Sequence, residues 1–278
     1  MTVSIAFAGK GGTGKTLIST ALALSIDYVR FLDLDVEEPN ADIFLKPEIR
    51  ERIPYALPVP NINLNRCTYC GECAKACEFG AIFVGPKSIS VFEKLCHGCA
   101  SCKLACPENA ITEKQYEIGE ISIGKKGTIE YIQGFLKLTE ALATPIIRHM
   151  KREYGNVSGN LIIDAPPGTS CPFVQSISDT DFVILVTEPT PFGLSDLKIA
   201  VNVARDMKLN FGVIINRSDI GSPKIKKEIK ENGIPILMEI PFDRRIAEGY
   251  SKGIPLIETL PDYRECMKSL WNEIGGRL

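Results

Sequence analysis

The sequence predicts an α/β fold in which helices flank a mostly parallel sheet and a small α+β segment interrupts the chain. Three observations predict this. Short apolar runs alternate with segments of helical periodicity over most of the 278 residues. A glycine-rich loop follows directly on the first apolar run. Eight of the ten cysteines lie between Cys67 and Cys106, where the alternation of strands and helices stops. This length permits one large domain or two smaller ones.

The first predicted strand, residues 3–8, leads into a loop with the pattern G-x-x-x-x-G-K-T. This is the pattern of a phosphate-binding loop, or P-loop, whose glycines let successive N–H groups face a phosphate. Lys15 is expected to reach the outer phosphates and the Thr16 hydroxyl to ligate Mg²⁺. A helix predicted over residues 16–25 adds its positive N-terminal end. The nucleotide-binding residues predicted in the loop are Gly9, Gly11, Gly12, Thr13, Gly14, Lys15 and Thr16.

Lys10 adds a second lysine to this loop, which contains K-G-G-T-G-K-T. The arrangement resembles the deviant Walker A loop of the MinD/ParA/Mrp/nitrogenase-iron-protein class of P-loop ATPases. The resemblance implies that Lys10 reaches the phosphates held by a partner subunit, and it therefore implies an ATP-dependent homodimer. Considered alone, Lys10 is also consistent with a solvated charge on a loop.

Two further predicted strands end in carboxylates. The run V-R-F-L-D-L-D ends in Asp33 and Asp35, and the run before A-P-P-G-T ends in Asp164. Ligands of open parallel sheets lie at the carboxyl ends of the strands. The resemblance implies that Asp35 positions the attacking water and that Asp164 belongs to the magnesium shell. It also makes Gly168 a hinge that responds to the γ-phosphate. A turn or helix-capping acid is the alternative for Asp33 and for Asp35, and Asp33 is the weaker candidate of the two.

The cysteine spacing is repeated. The run C-x-x-C-x-x-C-x-x-x-C begins at Cys67 and again, 29 residues later, at Cys96, which indicates two similar half-units. This is the spacing of bacterial ferredoxins, in which the fourth cysteine of each run ligates the other cluster. Zinc is the alternative, although zinc sites usually combine two separated C-x-x-C pairs. The resemblance implies two [4Fe–4S] clusters, one held by Cys67, Cys70, Cys73 and Cys106 and the other by Cys96, Cys99, Cys102 and Cys77.

Three residues near these motifs carry separate expectations. Glu78 follows Cys77, where ferredoxins usually have proline, and its carboxylate disfavours added electron density. The cluster that includes Cys77 is therefore predicted to have the lower potential of the two. His97 is interpreted as a surface residue because the sulfur ligands are already complete. Cys171 is expected to be a buried structural thiol.

The remaining segments complete the predicted sheet. Residues 46–62 contain four prolines and are interpreted as a linker. Residues 116–135 alternate apolar and polar side chains around G-K-K-G, which predicts a hairpin. Later strands are predicted at 182–187, 211–215 and 236–240. The resemblance implies adenine recognition by Asn216 and contributions to the nucleotide site from Arg217, Pro241 and Asp243.

Composition limits the partners. The formal net charge of −2 gives no electrostatic basis for binding nucleic acid. No apolar run approaches the roughly 20 residues of a membrane span, and charges of both signs on the last predicted helix argue against stable membrane association. The N-terminal residues lack the pattern of a secretory signal. The sequence therefore predicts a cytoplasmic protein.

Residues 1–60 and 116–278 thus resemble a MinD/ParA-type ATPase domain, and residues 61–115 resemble a two-cluster ferredoxin inserted in it. The resemblance implies that ATP or ADP with Mg²⁺ is bound and that dimer switching is coupled to electron transfer to a redox partner. One alternative is an Mrp-like carrier or maturation ATPase that acts on a client metalloprotein. The other is a MinD-like positioning ATPase in which the clusters stabilise an insertion.

Overall fold

The computed structural model describes residues 3–156 and 159–278. Its strands are β1 (Ser4–Gly9), β2 (Val29–Asp33), β3 (Glu48–Ile62), β4 (Ile82–Gly85), β5 (Ser88–Val91), β6 (Ile111–Lys126), β7 (Ile129–Leu136), β8 (Asn160–Asp164), β9 (Phe182–Thr187), β10 (Asn210–Asn216) and β11 (Ile236–Ile240). Its helices are α1 (Lys15–Ala23), α2 (Ala41–Leu45), α3 (Glu72–Lys75), α4 (Ser101–Leu104), α5 (Thr144–Tyr154), α6 (Cys171–Ile177), α7 (Pro191–Asp206), α8 (Pro223–Glu231), α9 (Arg244–Ser251), α10 (Leu256–Thr259) and α11 (Tyr263–Gly275), with a short 3₁₀ helix at Glu93–Leu95. None of these described helices is both long and apolar enough to cross a membrane.

Within the described residues one sheet has nine strands in the order β11-β10-β9-β1-β8-β2-β7-β6-β3. Every pairing from β11 to β7 is parallel. β6 then pairs antiparallel with β7, and β3 pairs antiparallel with β6. The α/β class predicted from the sequence is confirmed, and its parallel part places the ends of β1, β2, β8 and β10 at one edge.

Alternating side chains of β1 supply the two faces of the sheet. Ile5 and Phe7 join a core with α1, α2, α10 and α11, whereas Ala6 and Ala8 join a core with α5, α6, α7 and α8. Each of these four side chains is completely buried. A parallel strand covered by helices on both faces is apolar along its whole length, which explains the continuous apolar run in the sequence.

The hairpin predicted over residues 116–135 is present and longer than expected. β6 and β7 pair from Gly119 with Leu136 to Lys126 with Ile129. Gly127 has φ of +56° and, with Thr128, forms the two-residue connection. A glycine at positive φ suits such a tight turn because it has no Cβ atom.

The linker predicted over residues 46–62 is wrong. Most of it forms β3, which pairs with β6 through Ile62 opposite Ile111. β3 is the last strand in the order, and an edge strand tolerates proline because one side of its backbone needs no partner. Beyond Tyr55, β3 and β6 leave the sheet at its carboxyl edge as a two-stranded ribbon. This ribbon, residues 56–62 and 111–117, is about 23 Å long at the usual rise per residue.

The cysteine-rich segment lies at the far end of the ribbon. It contains the short helices α3 and α4 and a separate two-stranded sheet of β4 and β5. Its own buried cluster consists of Cys73, Ile82 and Ile111 with partly buried neighbours. Ala81 and Cys96 instead belong to the core of the main sheet. These two residues join the cysteine segment to the apolar cluster that continues through the ribbon into the main sheet.

Candidate functional site

The glycine-rich loop follows β1 and ends where α1 begins. Gly9 has φ of +144°, and a Cβ atom there would lie 2.2 Å from the Val186 carbonyl oxygen of the neighbouring strand. Gly14, the residue before α1, has φ of +96°. Both positions therefore require glycine, for close packing at Gly9 and for the left-handed backbone at Gly14. The Lys15 and Thr16 side chains that follow are almost entirely buried.

Asn216, at the end of β10, holds this loop from the other side. Its Nδ2 donates a hydrogen bond of 2.8 Å to the carbonyl oxygen of Thr13. Its Oδ1 accepts the backbone N–H of Arg217 at 2.9 Å. Adenine recognition by Asn216 stays a prediction, and the structure adds a role in fixing the loop. The sequence carried no signal for this contact because 203 residues separate its partners.

A cleft of about 1270 Å³ opens over the loop. Most of the predicted nucleotide residues line it, namely Gly11, Gly12, Gly14, Lys15, Thr16, Asp35, Asn216, Arg217, Pro241 and Asp243. Side chains that sequence reasoning missed also line it: Glu38, Asn40, Phe242, Ile246 and Tyr250. Phe242 was within reach, since it lies between Pro241 and Asp243, which the resemblance already placed at the nucleotide site. The cleft can accommodate a nucleotide with its phosphates on the loop.

Three carboxylates lie behind the loop. Asp33 and Asp164 are opposite each other on adjacent strands, and both are buried. Both oxygens of Asp164 lack a hydrogen-bond partner. Burial raises the pKa of Asp164 to about 7, although the charge of Lys15 acts in the opposite direction. Burial likewise raises the pKa of Asp35 to about 6. A buried carboxylate without partners fits a cation, so the Asp164 side chain suits Mg²⁺.

Asp33 has a different role from Asp164. Its oxygens accept backbone N–H groups from Asp35 at 3.2 Å and from Ala41 at 3.1 Å. Asp33 therefore ties the loop between β2 and α2 to the end of its own strand. Burial and the neighbouring Asp164 raise its pKa well above the usual value. The structure thus gives Asp33, the weaker candidate of its pair, a role in supporting this loop.

Lys10 lies outside the nucleotide cleft. Its Nζ is 3.8 Å from Asp196 Oδ2 and 5.1 Å from the ring centroid of Phe192, which is largely exposed. A second cleft of about 430 Å³ is lined by Gly9, Lys10 and Gly168. The Gly168 N–H donates to the Gly9 carbonyl oxygen at 3.3 Å. The two lysines of the loop therefore point into different clefts.

The eight clustered cysteines surround two further cavities. The inner cysteine site, a cavity of about 440 Å³ next to the body of the protein, is lined by Cys77, Cys96, Cys99 and Cys102. The outer cysteine site, a cavity of about 340 Å³, is lined by Cys67, Cys70, Cys73 and Cys106. The structure therefore brings together the two sets that the ferredoxin resemblance implies, including the exchange of the fourth cysteine between the runs.

The repeated sequence produces repeated local geometry around the sulfurs. The Ala81 N–H points at Cys77 Sγ and the Ala110 N–H at Cys106 Sγ, each at 3.3 Å. Burial raises the pKa of the Cys102 thiol to about 11, and the neighbouring Cys96 adds to this shift. Such thiols ionise when a metal supplies positive charge.

The cysteine sites differ from a site for one metal ion. Among the described residues, no three cysteine, histidine or acidic side chains converge closely enough to ligate a single ion. Each cavity is lined by the four cysteines named above. Four cysteine thiols are a donor set that fits an iron–sulfur cluster.

Two expectations about neighbouring residues have different outcomes. His97 is half-buried and stacks on Phe79, with ring centroids 3.6 Å apart, so it covers the inner cysteine site without joining its thiols. The expectation that Cys171 is buried is wrong, because its side chain is exposed at the first residue of α6. The Gly-Thr-Ser sequence before α6 carries the chain to the surface there.

Comparison with known proteins extends these observations. Residues 4–256 match the family described as the CobQ/CobB/MinD/ParA nucleotide binding domain. An uncharacterized protein of Methanocaldococcus jannaschii is 35% identical over 259 residues, which cover 88% of this chain and 87% of that protein. The iron–sulfur cluster carrier protein of the same organism is 28% identical over 137 residues, which cover 42% of this chain and 47% of that protein.

A solved structure with a similar fold is the septum site-determining protein MinD of Pyrococcus horikoshii in complex with Mg-ADP. It superimposes with a TM-score of 0.59 at 19% identity, covering 99% of this chain and 96% of that one. At this identity the likeness concerns the fold alone.

Proposed function

The chain belongs to the CobQ/CobB/MinD/ParA family of nucleotide-binding domains and is a MinD/ParA-like P-loop ATPase, and from that premise we propose that its nucleotide cycle gates electron transfer through two [4Fe–4S] clusters. The observation that carries the proposal is the grouping of eight cysteines into two sites of four. The inner site is continuous with the core of the nucleotide-binding sheet through Cys96 and Ala81. The nucleotide cleft and the inner cluster would therefore share one packed core, so that a change at one could reach the other.

In this proposal the nucleotide cleft hydrolyses ATP by positioning and charge stabilisation. Lys15 binds the outer phosphates, and Thr16 and Asp164 hold the magnesium ion. Asp35, half-buried at the mouth of the cleft, orients the water that attacks the γ-phosphorus. Its pKa of about 6 leaves it ionised at neutral pH, so it accepts a hydrogen bond from that water.

Lys10 completes the proposed site only in a dimer. In the single chain its ammonium group lies beside Asp196 and Phe192, outside the nucleotide cleft. These contacts are exposed, and an exposed ion pair contributes little. Lys10 is therefore free to exchange them for the phosphates of a partner subunit. This arrangement supports an ATP-dependent homodimer.

A bound [4Fe–4S] cluster would supply one-electron redox chemistry at each cysteine site. The chain's own contribution is to hold the sulfurs, to direct the Ala81 and Ala110 N–H groups at them, and to limit solvent access. Cys70 and Cys99 are exposed, one at each site. Each site thus has a side on which a low-potential electron donor or an acceptor protein would approach.

The second candidate is an iron–sulfur cluster carrier that delivers clusters to a client metalloprotein. It is favoured by the partial relationship to an iron–sulfur cluster carrier protein. A carrier needs clusters that leave the protein, whereas a gate needs clusters that stay. Cys96, buried in the main core, favours retention at the inner site.

Anaerobic purification followed by iron and sulfide analysis and redox titration tests the proposal. About eight iron atoms per chain are expected from two clusters. Potentials that differ between ATP-bound and ADP-bound protein, with iron retained over turnover, support the gate. Transfer of iron to an apo-ferredoxin during turnover supports the carrier instead. Nucleotide-dependent binding to lipid vesicles with unchanged potentials supports a positioning ATPase. A colourless zinc-containing preparation contradicts the gate and the carrier.

A further inference from the structure

One packed connection links the loop after β8, residues 165–170, to the inner cysteine site. This loop carries Gly168 and leads directly into α6, so its position sets that of the helix start. α6 packs against α5, and α5 contacts β3 at Tyr55, the last residue before the ribbon that carries the cysteine segment. The individual contacts decide whether this connection is rigid.

The joint between α5 and α6 is made by Lys151. Its Nζ donates to the carbonyl oxygens of Ser176 (3.1 Å) and Ser178, and it lies 3.4 Å from Ser178 Oγ. These acceptors stand at the C-terminal end of α6, where helix carbonyls lack partners. Burial lowers the pKa of Lys151 to about 8, although Asp179 opposes this. A largely buried ammonium group with three oxygen partners fixes the end of α6 to α5.

A second contact supports the same joint. Arg148 Nε donates to Gln175 Oε1 at 3.3 Å, also between α5 and α6. Arg148 is exposed and therefore a weaker link than Lys151.

The joint between α5 and the cysteine segment runs through β3. The Tyr55 hydroxyl donates to the Pro145 carbonyl oxygen at 3.1 Å, and its ring packs 4.9 Å from that of His149. Three residues along β3, Pro58 lies so close to Gly98 that a Cβ atom there would approach Pro58 Cδ to 3.2 Å. Gly98 separates two cysteines of the inner site. A shift of α5 is therefore transmitted to the loop that carries them.

We propose that Lys151 is a positioning residue that couples the γ-phosphate-sensing loop 165–170 to the inner cysteine site through α6, α5 and β3. The inference deepens the proposed function, on which it rests for the identity of the clusters. The outer cysteine site has its own small core, and neither α5 nor α6 is among the described residues that line it. The nucleotide response is therefore expected at the inner site alone.

The test compares the full-length protein, its Lys151→Met variant and a matched control, Lys227→Met. Lys227 is an exposed lysine on α8 whose ion pair is with Glu231. Hydrogen exchange is measured with Mg-ADP and with a non-hydrolysable ATP analogue. In the wild type and the control, we expect the analogue to alter the rate of amide hydrogen exchange by about threefold or more, relative to Mg-ADP, in three segments. These segments are α6, residues 55–59 and residues 96–99. In Lys151→Met the analogue still binds and α6 still responds, but residues 96–99 do not.

A second readout is the midpoint potential of each cluster in the same proteins. The nucleotide-dependent shift of the inner cluster is expected to disappear in Lys151→Met, while the outer cluster behaves alike in all three. Gln175→Leu, which removes only the Arg148 contact, is expected to weaken the shift. If Lys151→Met does not fold, this milder variant tests whether the joint between α5 and α6 carries the nucleotide response.

Two results would overturn the inference. One is a full response at residues 96–99 in Lys151→Met or, where that variant does not fold, in Gln175→Leu. The other is a wild-type protein whose α6 responds to the analogue while residues 96–99 do not. Failure of the proposed function looks different: the wild type then lacks iron or shows no redox signal. Hydrogen exchange still decides the role of Lys151 in that case.

Discussion

The nucleotide cleft and the cysteine segment are built on opposite principles. The cleft is assembled from strand ends of a nine-stranded sheet, and its loop is held by internal contacts such as that of Asn216 with Thr13. The cysteine segment has two very short helices, a two-stranded sheet and a buried cluster of three residues. The cleft is therefore organised before any ligand arrives, whereas the outer half of the cysteine segment has little apolar core to order it.

This difference predicts where ligand binding and folding are linked. A site without a sufficient core gains its folding free energy from the metal that it binds. The inner cysteine site is intermediate, because Cys96 is part of the main core. Loss of clusters should therefore disorder the outer site first, and loss of nucleotide should disorder neither.

The largest expected effect is a loss of ATP hydrolysis that leaves the cysteine segment unchanged. Lys15→Ala removes the side chain that the sequence and the cleft assign to the phosphates, so ATP hydrolysis should fall by about 10³-fold. Phosphate release measures the rate, and the exposed Lys227→Ala serves as control. Iron content should remain at that of the wild type. A parallel loss of iron would show that the cysteine segment depends on the nucleotide site.

A cysteine variant of the outer site tests whether the nucleotide cleft is independent of the cysteine segment. Cys106→Ser should reduce iron from about eight to about four atoms per chain, because one cluster loses a ligand. Cys171→Ser, at an exposed thiol outside both sites, should leave iron unchanged. Iron analysis and ATP-binding titration are the measurements. Complete loss of iron in Cys106→Ser would mean that the two sites fold as one.

A smaller effect concerns the charge buried behind the phosphate loop. Because burial raises the pKa of Asp164 to about 7, its neutral form stabilises the folded state. That contribution is complete below the unfolded-state pKa near 4 and is lost as the pH rises through 7. Without magnesium, Asp164→Asn should therefore be more stable than the wild type at pH 8, by a few kcal/mol.

Thermal unfolding between pH 4 and pH 8 measures this difference, which should shrink as the pH falls. With Mg-ATP at pH 8, the wild type should become the more stable of the two proteins, since the cation binds its carboxylate. Asp27→Asn, at an exposed position, is the control. A constant difference between wild type and Asp164→Asn over this range would contradict the assignment.

The smallest expected effect lies within the cysteine segment. Glu78 is exposed beside Cys77, so Glu78→Gln removes one solvent-screened negative charge from the inner site. We expect the potential of that cluster to rise by roughly 30 mV, from the Coulomb energy of a unit charge about 6 Å away in a water-like dielectric. Redox titration measures this rise in potential, and Glu72→Gln, near the outer site, is the matched control. An unchanged inner potential would refute the prediction.

The parts of the structure that follow from local spacing were predictable. The phosphate loop needs glycines at fixed offsets, and the ends of β9 and β11 agree with the predicted strands 182–187 and 236–240. The two cysteine sets followed from the ferredoxin resemblance that the repeated spacing carries, in which the fourth cysteine of each run belongs with the other run. These features depend on neighbours in sequence or on an internal repeat.

The features that the sequence did not predict depend on distant neighbours. The prolines of β3 indicate a linker until its edge position in the sheet is known, since an edge strand has no partner on one side. The role of Asn216 depends on a loop 203 residues away. Cys171 is exposed because α6 begins there, which a burial preference for cysteine does not include. The joint at Lys151 likewise requires the packing of two helices.

The ribbon of β3 and β6 leaves the sheet at the same edge as the phosphate loop. Any large molecule that covers the bound nucleotide must therefore pass beside the sulfur-lined cavities. A second subunit arriving face to face and a bulky electron acceptor would compete for that side of the molecule. Under the proposed function, closure of two chains on ATP would therefore narrow the access to both cysteine sites from that side.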